Sequence, residues 1–138
     1  MKRYIFPIFA ILAFITSLLM GTVLVGCRTT PTPADGYEQI TAEAAKKLID
    51  TTQENCVILD VRTQQEYDLG HIPGAIVIPN EVISQEAEKT LTDKDQLILV
   101  YCHSGRRSKE AAQKLVDLGY TNVKEFGGII DWPYQVTR

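Results

Sequence analysis

Cysteine and histidine are both scarce in this chain of 138 residues, with three Cys and two His. That scarcity leaves no Cys/His cluster at metal-ligand spacing, so no metal site is expected. It also argues against a disulfide framework. An excess of positive charge is missing too. Fourteen Lys and Arg stand against 17 Asp and Glu, a net charge of −3, which excludes the basic footprint that holds nucleic acid. There is no internal repeat, and no biased tract beyond residues 28–36. The length suffices for one compact domain and not for two.

What is present begins with a long apolar run. Lys2 and Arg3 are followed by no charged residue until Arg28, and the stretch between them is dominated by Ile, Leu, Phe, Ala and Val. About 20 apolar residues cross a bilayer, so the run reads as an export signal or an uncleaved span. Its end, Leu24-Val25-Gly26-Cys27, resembles the lipobox of bacterial lipoproteins, in which the cysteine is lipidated and becomes the new N-terminus. The expected organisation is a lipoprotein signal over 1–26, lipidated Cys27 with a flexible linker over 27–36, and a folded domain over 37–138. The expected location is a bacterial cell-envelope membrane, reached through the lipid on Cys27. Residues 28–36 hold two Pro, three Thr and a Gly with no apolar pattern, the composition of an extended, solvated spacer. Without Lys2 and Arg3 the mature chain carries 12 basic against 17 acidic residues, a net of −5. Its thiols are then Cys56 and Cys102, and the sequence leaves their pairing open.

From Tyr37 onward, strand-like and helix-like segments alternate. Short apolar runs at 37–40, 57–59, 75–78, 97–101 and 123–126 read as strands. Segments 42–50, 64–69, 81–91 and 107–118 read as helices. Thr41 is placed to cap the first helix, Gly70 to end the second in a left-handed turn, and Gly119 to end the last. Continuous apolar strands separated by helices predict an α/β fold with a mainly parallel central sheet of about five strands and helices on both faces. Ligand sites in such sheets lie beyond the carboxyl ends of the strands. Asp60 and Cys102 both occupy such ends.

Cys102 carries the chemical signal. It closes the run Leu97-Ile98-Leu99-Val100-Tyr101 and is followed by His103-Ser104-Gly105-Arg106-Arg107-Ser108, which opens a helix. A strand-to-helix turn lets successive amides converge into an anion-binding nest around the sulfur. A helix N-terminus with nearby Arg lowers a thiol pKa from its free value of about 8.5. Gly105 permits the curvature, and Ser104 and Ser108 can donate hydroxyl bonds or cap the helix start. Arg107 can order the loop or face an anion, and Arg106 adds charge at the mouth. His103 is expected to point outward. The reading requires amides curled around the sulfur, and a thiol turned away into the packed interior would defeat it.

Three segments in order resemble the rhodanese family: Asp60-Val61-Arg62 with Glu66-Tyr67 and Gly70-His71-Ile72-Pro73-Gly74-Ala75; Tyr101 to Ser108 with Ala111-Ala112; and Gly119-Tyr120, Val123, Gly127-Gly128-Ile129 and Trp132. The likeness runs from about Tyr37 to Tyr134. It implies a single rhodanese-like domain in which Cys102 accepts a sulfane sulfur, with the loop 103–108 binding the substrate or the persulfide. The activity implied is that of a thiosulfate sulfurtransferase-like enzyme, needing no cofactor. Its small-molecule partners would be a sulfur-containing anion or persulfide as donor and a thiol or cyanide as acceptor. Asp60 and Arg62 are expected to pair and hold loops near the site, and His71 to be packed and hydrogen-bonded. Gly127 and Gly128 are expected to begin the final turn under an aromatic lid, Trp132. Cys56 is expected to be inert.

Two rivals remain. Phosphatases and arsenate reductases of related design use C-x5-R loops, whereas Cys102 to Arg107 is C-x4-R, and a C-x5-R motif would need Arg where Ser108 stands. One residue is roughly 3.5 Å of chain, so the shorter loop suits one added sulfur better than a phosphoryl group. The other rival is a membrane-tethered binding module without catalysis, which would have no need of a thiol in that loop.

Overall fold

In the computed structural model, which describes residues 36–52 and 56–138, strand β4 (Leu97–Cys102) is buried along its whole length. A strand with no polar side is stable only when covered on both faces, and this one lies at the centre of the sheet. The other strands are β1 (Glu38–Gln39), β2 (Cys56–Asp60), β3 (Ile76–Val77) and β5 (Val123–Gly128). All pair in parallel, in the spatial order β1-β5-β4-β2-β3. Four helices connect them: α1 (Ala42–Thr52), α2 (Gln64–Leu69), α3 (Ile83–Thr90) and α4 (Arg106–Asp117). The α/β fold and the five-stranded parallel sheet are as the sequence predicts. The expected signal, Cys27 and nearly all of the linker lie outside the described residues. Among the described residues no helix is long and apolar enough to cross a membrane.

Alternation along β4 divides the core in two. Ile98, Val100 and Cys102 face one side, where Ile83 and Ala87 of α3 and Ala111, Ala112 and Leu115 of α4 cover them. Leu97, Leu99 and Tyr101 face the other, packed with Ala45 and Leu48 of α1, Phe126 and Trp132. Small Ala residues on α4 let that helix approach the sheet closely. Truncating a fully buried Leu such as Leu99 to Ala costs about 2 to 5 kcal/mol in comparable cores.

Local chemistry sets the ends of the elements. Thr41 caps α1, its hydroxyl accepting from the Ala44 amide at 3.2 Å. At α2, Thr63 and Glu66 form a reciprocal capping box. Gly70 departs from expectation: its backbone is extended (φ 160°, ψ 134°) and not left-handed. The Gly70 carbonyl accepts from Arg62 Nη2 at 2.7 Å, a direction that continued coiling would not give. Gly127 and Gly128 also differ from expectation, since both belong to β5 and the closing 3-10 turn begins at Ile129.

Candidate active site

The loop after β4 and the end of β5 are built together. Val100 pairs with Glu125 and Cys102 with Gly128, so β5 holds one extra residue between those pairs. That bulge is accommodated by Gly127 at φ +91°. It lays Gly128 directly under the loop, where a Cβ would fall on the His103 carbonyl oxygen and within 2.6 Å of Ser104 Cα. Gly105 takes φ +96° and starts α4 with no side-chain cap. The backbone thus curls tightly because two glycines permit it and a third makes room.

Cys102 sits inside this curl. Its Sγ accepts from the Gly105 amide at 3.1 Å, and the residue is 1% exposed. The side chain packs with the cluster around Val100, Ala111 and Ala112, yet its sulfur is not lost to the interior, because loop donors meet it. Burial pushes the thiol up. The Ser108 hydroxyl and the amides of Ser108, Gly105 and Ser104 outweigh that effect and hold it below its ordinary value. The N-terminus of α4 adds its partial positive charge.

The remaining predicted residues fall into two sets. Ser104, Gly105 and Ser108 turn donors toward the sulfur, whereas His103 and Arg106 are exposed. Arg106 pairs with Glu110 at 2.7 Å on the surface. Neither Ser104 nor Ser108 caps α4. Ser108 is fully buried one turn inside, and its hydroxyl donates to Glu125 Oε1 at 2.6 Å. Arg107 orders the loop: both terminal nitrogens reach the two oxygens of Glu66 at 2.8 Å.

Asp60 and Arg62 form the expected pair, and it is buried, with Arg62 Nη2 at 2.6 Å from Asp60 Oδ2. Since Arg62 Nη2 also donates to the Gly70 carbonyl, the pair ties the end of β2 to the turn after α2. Tyr101, the residue before the nucleophile candidate, accepts from the Ile72 amide through its hydroxyl at 3.1 Å. Burial first, and the Asp60 carboxylate second, push its phenol far above the ordinary value. His71 stacks on Tyr67 with ring centroids 3.7 Å apart. Its Nδ1 lies 3.0 Å from the Tyr67 carbonyl, the packed role expected of it. Trp132 is buried against Phe126 and Tyr134. A groove of about 490 Å³ passes the loop, lined by Arg62, Glu66, His103, Trp132, Tyr134 and Val136 among others. Trp132 is therefore a wall of the site more than a lid.

Two residues that meet the loop are not found by sequence reasoning alone. Glu66 belongs to the family-like segment without a role of its own there, although Thr63-x-x-Glu66 is a capping-box pattern that places its carboxylate at the start of α2. Glu125 gives no signal, since Val-Lys-Glu-Phe reads as a half-exposed strand. Cys56 lies at the opposite end of the sheet, paired in register with Leu97. Five residue steps along the strand separate that level from Cys102, roughly 16 Å, and a disulfide needs Cα atoms within about 7 Å. Both thiols are free.

Comparison with known proteins agrees with this geometry. The rhodanese-like domain family matches residues 41–133. The thiosulfate sulfurtransferase PspE of Escherichia coli is 37% identical over 73 residues, covering 53% of this chain and 70% of the relative. The thiosulfate sulfurtransferase GlpE of Coxiella burnetii is 35% identical over 97 residues, covering 70% and 87%. A crystal structure of a rhodanese-related protein from Thermoplasma volcanium superposes with a TM-score of 0.63 at 30% identity, covering 73% of this chain and 98% of that one. With the loop, the parallel sheet and these relatives in agreement, the chain belongs to the rhodanese-like domain family.

Proposed function

We propose that this protein is a rhodanese-type sulfurtransferase that moves a sulfane sulfur from thiosulfate or a persulfide to a thiophilic acceptor through a persulfide on Cys102. The observation that carries the reading is the Cys102 sulfur inside a ring of amide donors at the N-terminus of α4. In the first step the Cys102 thiolate attacks the outer sulfur of thiosulfate. A new S–S bond forms, the old one breaks, and sulfite leaves with the bonding pair. The terminal sulfur of the persulfide carries the negative charge, and loop amides stabilise it as oxyanion-hole donors would. An acceptor thiolate or cyanide then attacks that terminal sulfur and restores the Cys102 thiolate. No step needs a cofactor.

Burial of the sulfur favours a donor with a small, unencumbered outer atom. The engagement of Arg107 by Glu66 weighs against a phosphatase or arsenate reductase, because both terminal guanidinium nitrogens are already committed. A binding module without catalysis has no use for a depressed thiol in this setting. The lipobox-like ending at Cys27 supports an exported protein held at a bacterial envelope membrane, with the domain carried on the segment 28–36.

Mass spectrometry of the protein after thiosulfate treatment tests the reading. One added sulfur, removable by cyanide and localised to Cys102, is expected. Sulfur transfer surviving in Cys102→Ser would reject it.

A further inference from the structure

Beneath the loop lies a buried carboxylate that the proposed chemistry does not use. Glu125 is 2% exposed. In β5 its side chain alternates with Lys124 and Phe126, so it faces α4, where Ser108 meets it. Its Oε1 accepts from Ser108 Oγ at 2.6 Å and from the Gly127 amide at 2.8 Å. The same hydroxyl lies 3.0 Å from the Gly105 carbonyl oxygen and 3.3 Å from that of Gly127. It is also within reach of the Cys102 sulfur. A serine hydroxyl has one proton to give, so these four acceptors compete for it. A hydrogen bond to an ionised oxygen is shorter and roughly twice as strong as a neutral one. The contact with Glu125 is shorter than those with the two carbonyl oxygens.

We propose that Glu125 is a positioning residue for Cys102: its carboxylate competes with the sulfur for the single Ser108 hydroxyl proton and draws it toward β5, so that the sulfur receives only part of that donor beside its amides. Glu125 thereby restrains ionisation of the thiol. Remove its acceptor oxygen, and the hydroxyl turns to the sulfur and favours the thiolate. Arg107 on α4 is held by Glu66 of α2, and it also interacts electrostatically with Cys102 itself and with Glu81 ahead of α3. Arg106 and His103 are exposed. Tyr37, ahead of β1, shares the core cluster of Cys102. Lys124 lies on the opposite face, paired with Glu38.

This inference rests on Cys102 being the reactive thiol, but its readout needs no sulfur transfer. The test is the pH dependence of Cys102 alkylation by iodoacetamide in the full chain, followed site by site with mass spectrometry. Glu125→Met removes the acceptor and keeps the bulk; the midpoint is expected to fall by about one unit, or about tenfold more thiolate below it. Glu125→Gln keeps a carbonyl oxygen for Ser108 and Gly127 and should shift it less. Ser108→Ala alone should raise the midpoint, since the sulfur loses its share of the hydroxyl, and in that background the Met and Gln variants should coincide. The proposal is overturned if Glu125→Met leaves the midpoint unchanged with Ser108 in place, because the carboxylate would then hold nothing back from the sulfur. It is equally overturned if the Met and Gln variants differ as much without Ser108 as with it. Should Glu125→Met fail to fold, Glu125→Gln compared with the parent chain, with and without Ser108, still decides. Alkylation as expected in a chain that forms no persulfide would sink the sulfurtransferase reading and leave this one standing.

Discussion

The guanidinium of Arg107 and the carboxylate of Glu66 meet in a two-pronged contact, both distances 2.8 Å, that joins the start of α4 to the start of α2. The contact pulls the carboxyl of Glu66 down to about 2, chiefly through the hydrogen bonds from Arg107. The two residues are 41 apart in the chain, so the pair fixes the loop against an element that otherwise only passes by it. Replacing Glu66 by Gln keeps the shape and removes the charge. A loss of about 1 to 2 kcal/mol is expected, read as a lower urea midpoint, together with slower persulfide loading.

The same pair gives stability a pH dependence of definite sign. The folded-state value for Glu66 is depressed from 4.5 to about 2. Its contribution is therefore complete above 4.5 and is lost as pH falls from there toward 2. The gap in urea midpoint between the parent protein and Glu66→Gln should be constant above that window and close within it. A gap that stays flat down to the acid limit would show that the carboxylate is not paired.

Glycine substitutions separate collision from strain. Gly128→Ala drives a Cβ into the backbone of His103 and Ser104, so loss of persulfide formation along with a lowered melting temperature is expected. At Gly119, φ is +89° and an added Cβ would meet nothing within 4 Å, so the cost there is only the left-handed penalty of about 1 to 2 kcal/mol. Gly119→Ala should melt earlier but load sulfur normally. Equal loading by both variants would remove Gly128 from the account of the loop.

The buried pair Asp60–Arg62 should behave differently from a surface pair. Asp60→Asn leaves the Arg62 charge buried against Tyr101 with its main partner neutral. Breaking a buried pair from one side costs about 3 to 5 kcal/mol, which chemical denaturation will register. Arg106→Ala, by contrast, removes an exposed pair with Glu110 and should change stability by less than about 1 kcal/mol.

How much of this is legible in the sequence depends on whether the cause is local. The strand ending in Cys102 is an unbroken apolar run followed by a Gly-containing turn, so the element, its burial and the position of the thiol can all be read directly. Thr41 as a cap follows for the same reason. The partners of Arg107 and Ser108 cannot be read, because each is supplied by a distant segment: Glu66 from α2 and Glu125 from β5. Gly70 misleads because a glycine after a helix ordinarily coils left-handed, while here Arg62 claims its carbonyl. The extra residue in β5 leaves no mark in the sequence, since Gly127-Gly128 serves equally well as a turn.

The separation of the two described thiols has a consequence for how the protein handles its own reactivity. With Cys56 a sheet's length away from Cys102, no second sulfur among the described residues can resolve whatever the first one picks up. In the proposed reaction, discharge within the described domain therefore falls to a separate molecule, and the lifetime of the loaded state would be set by encounter with it.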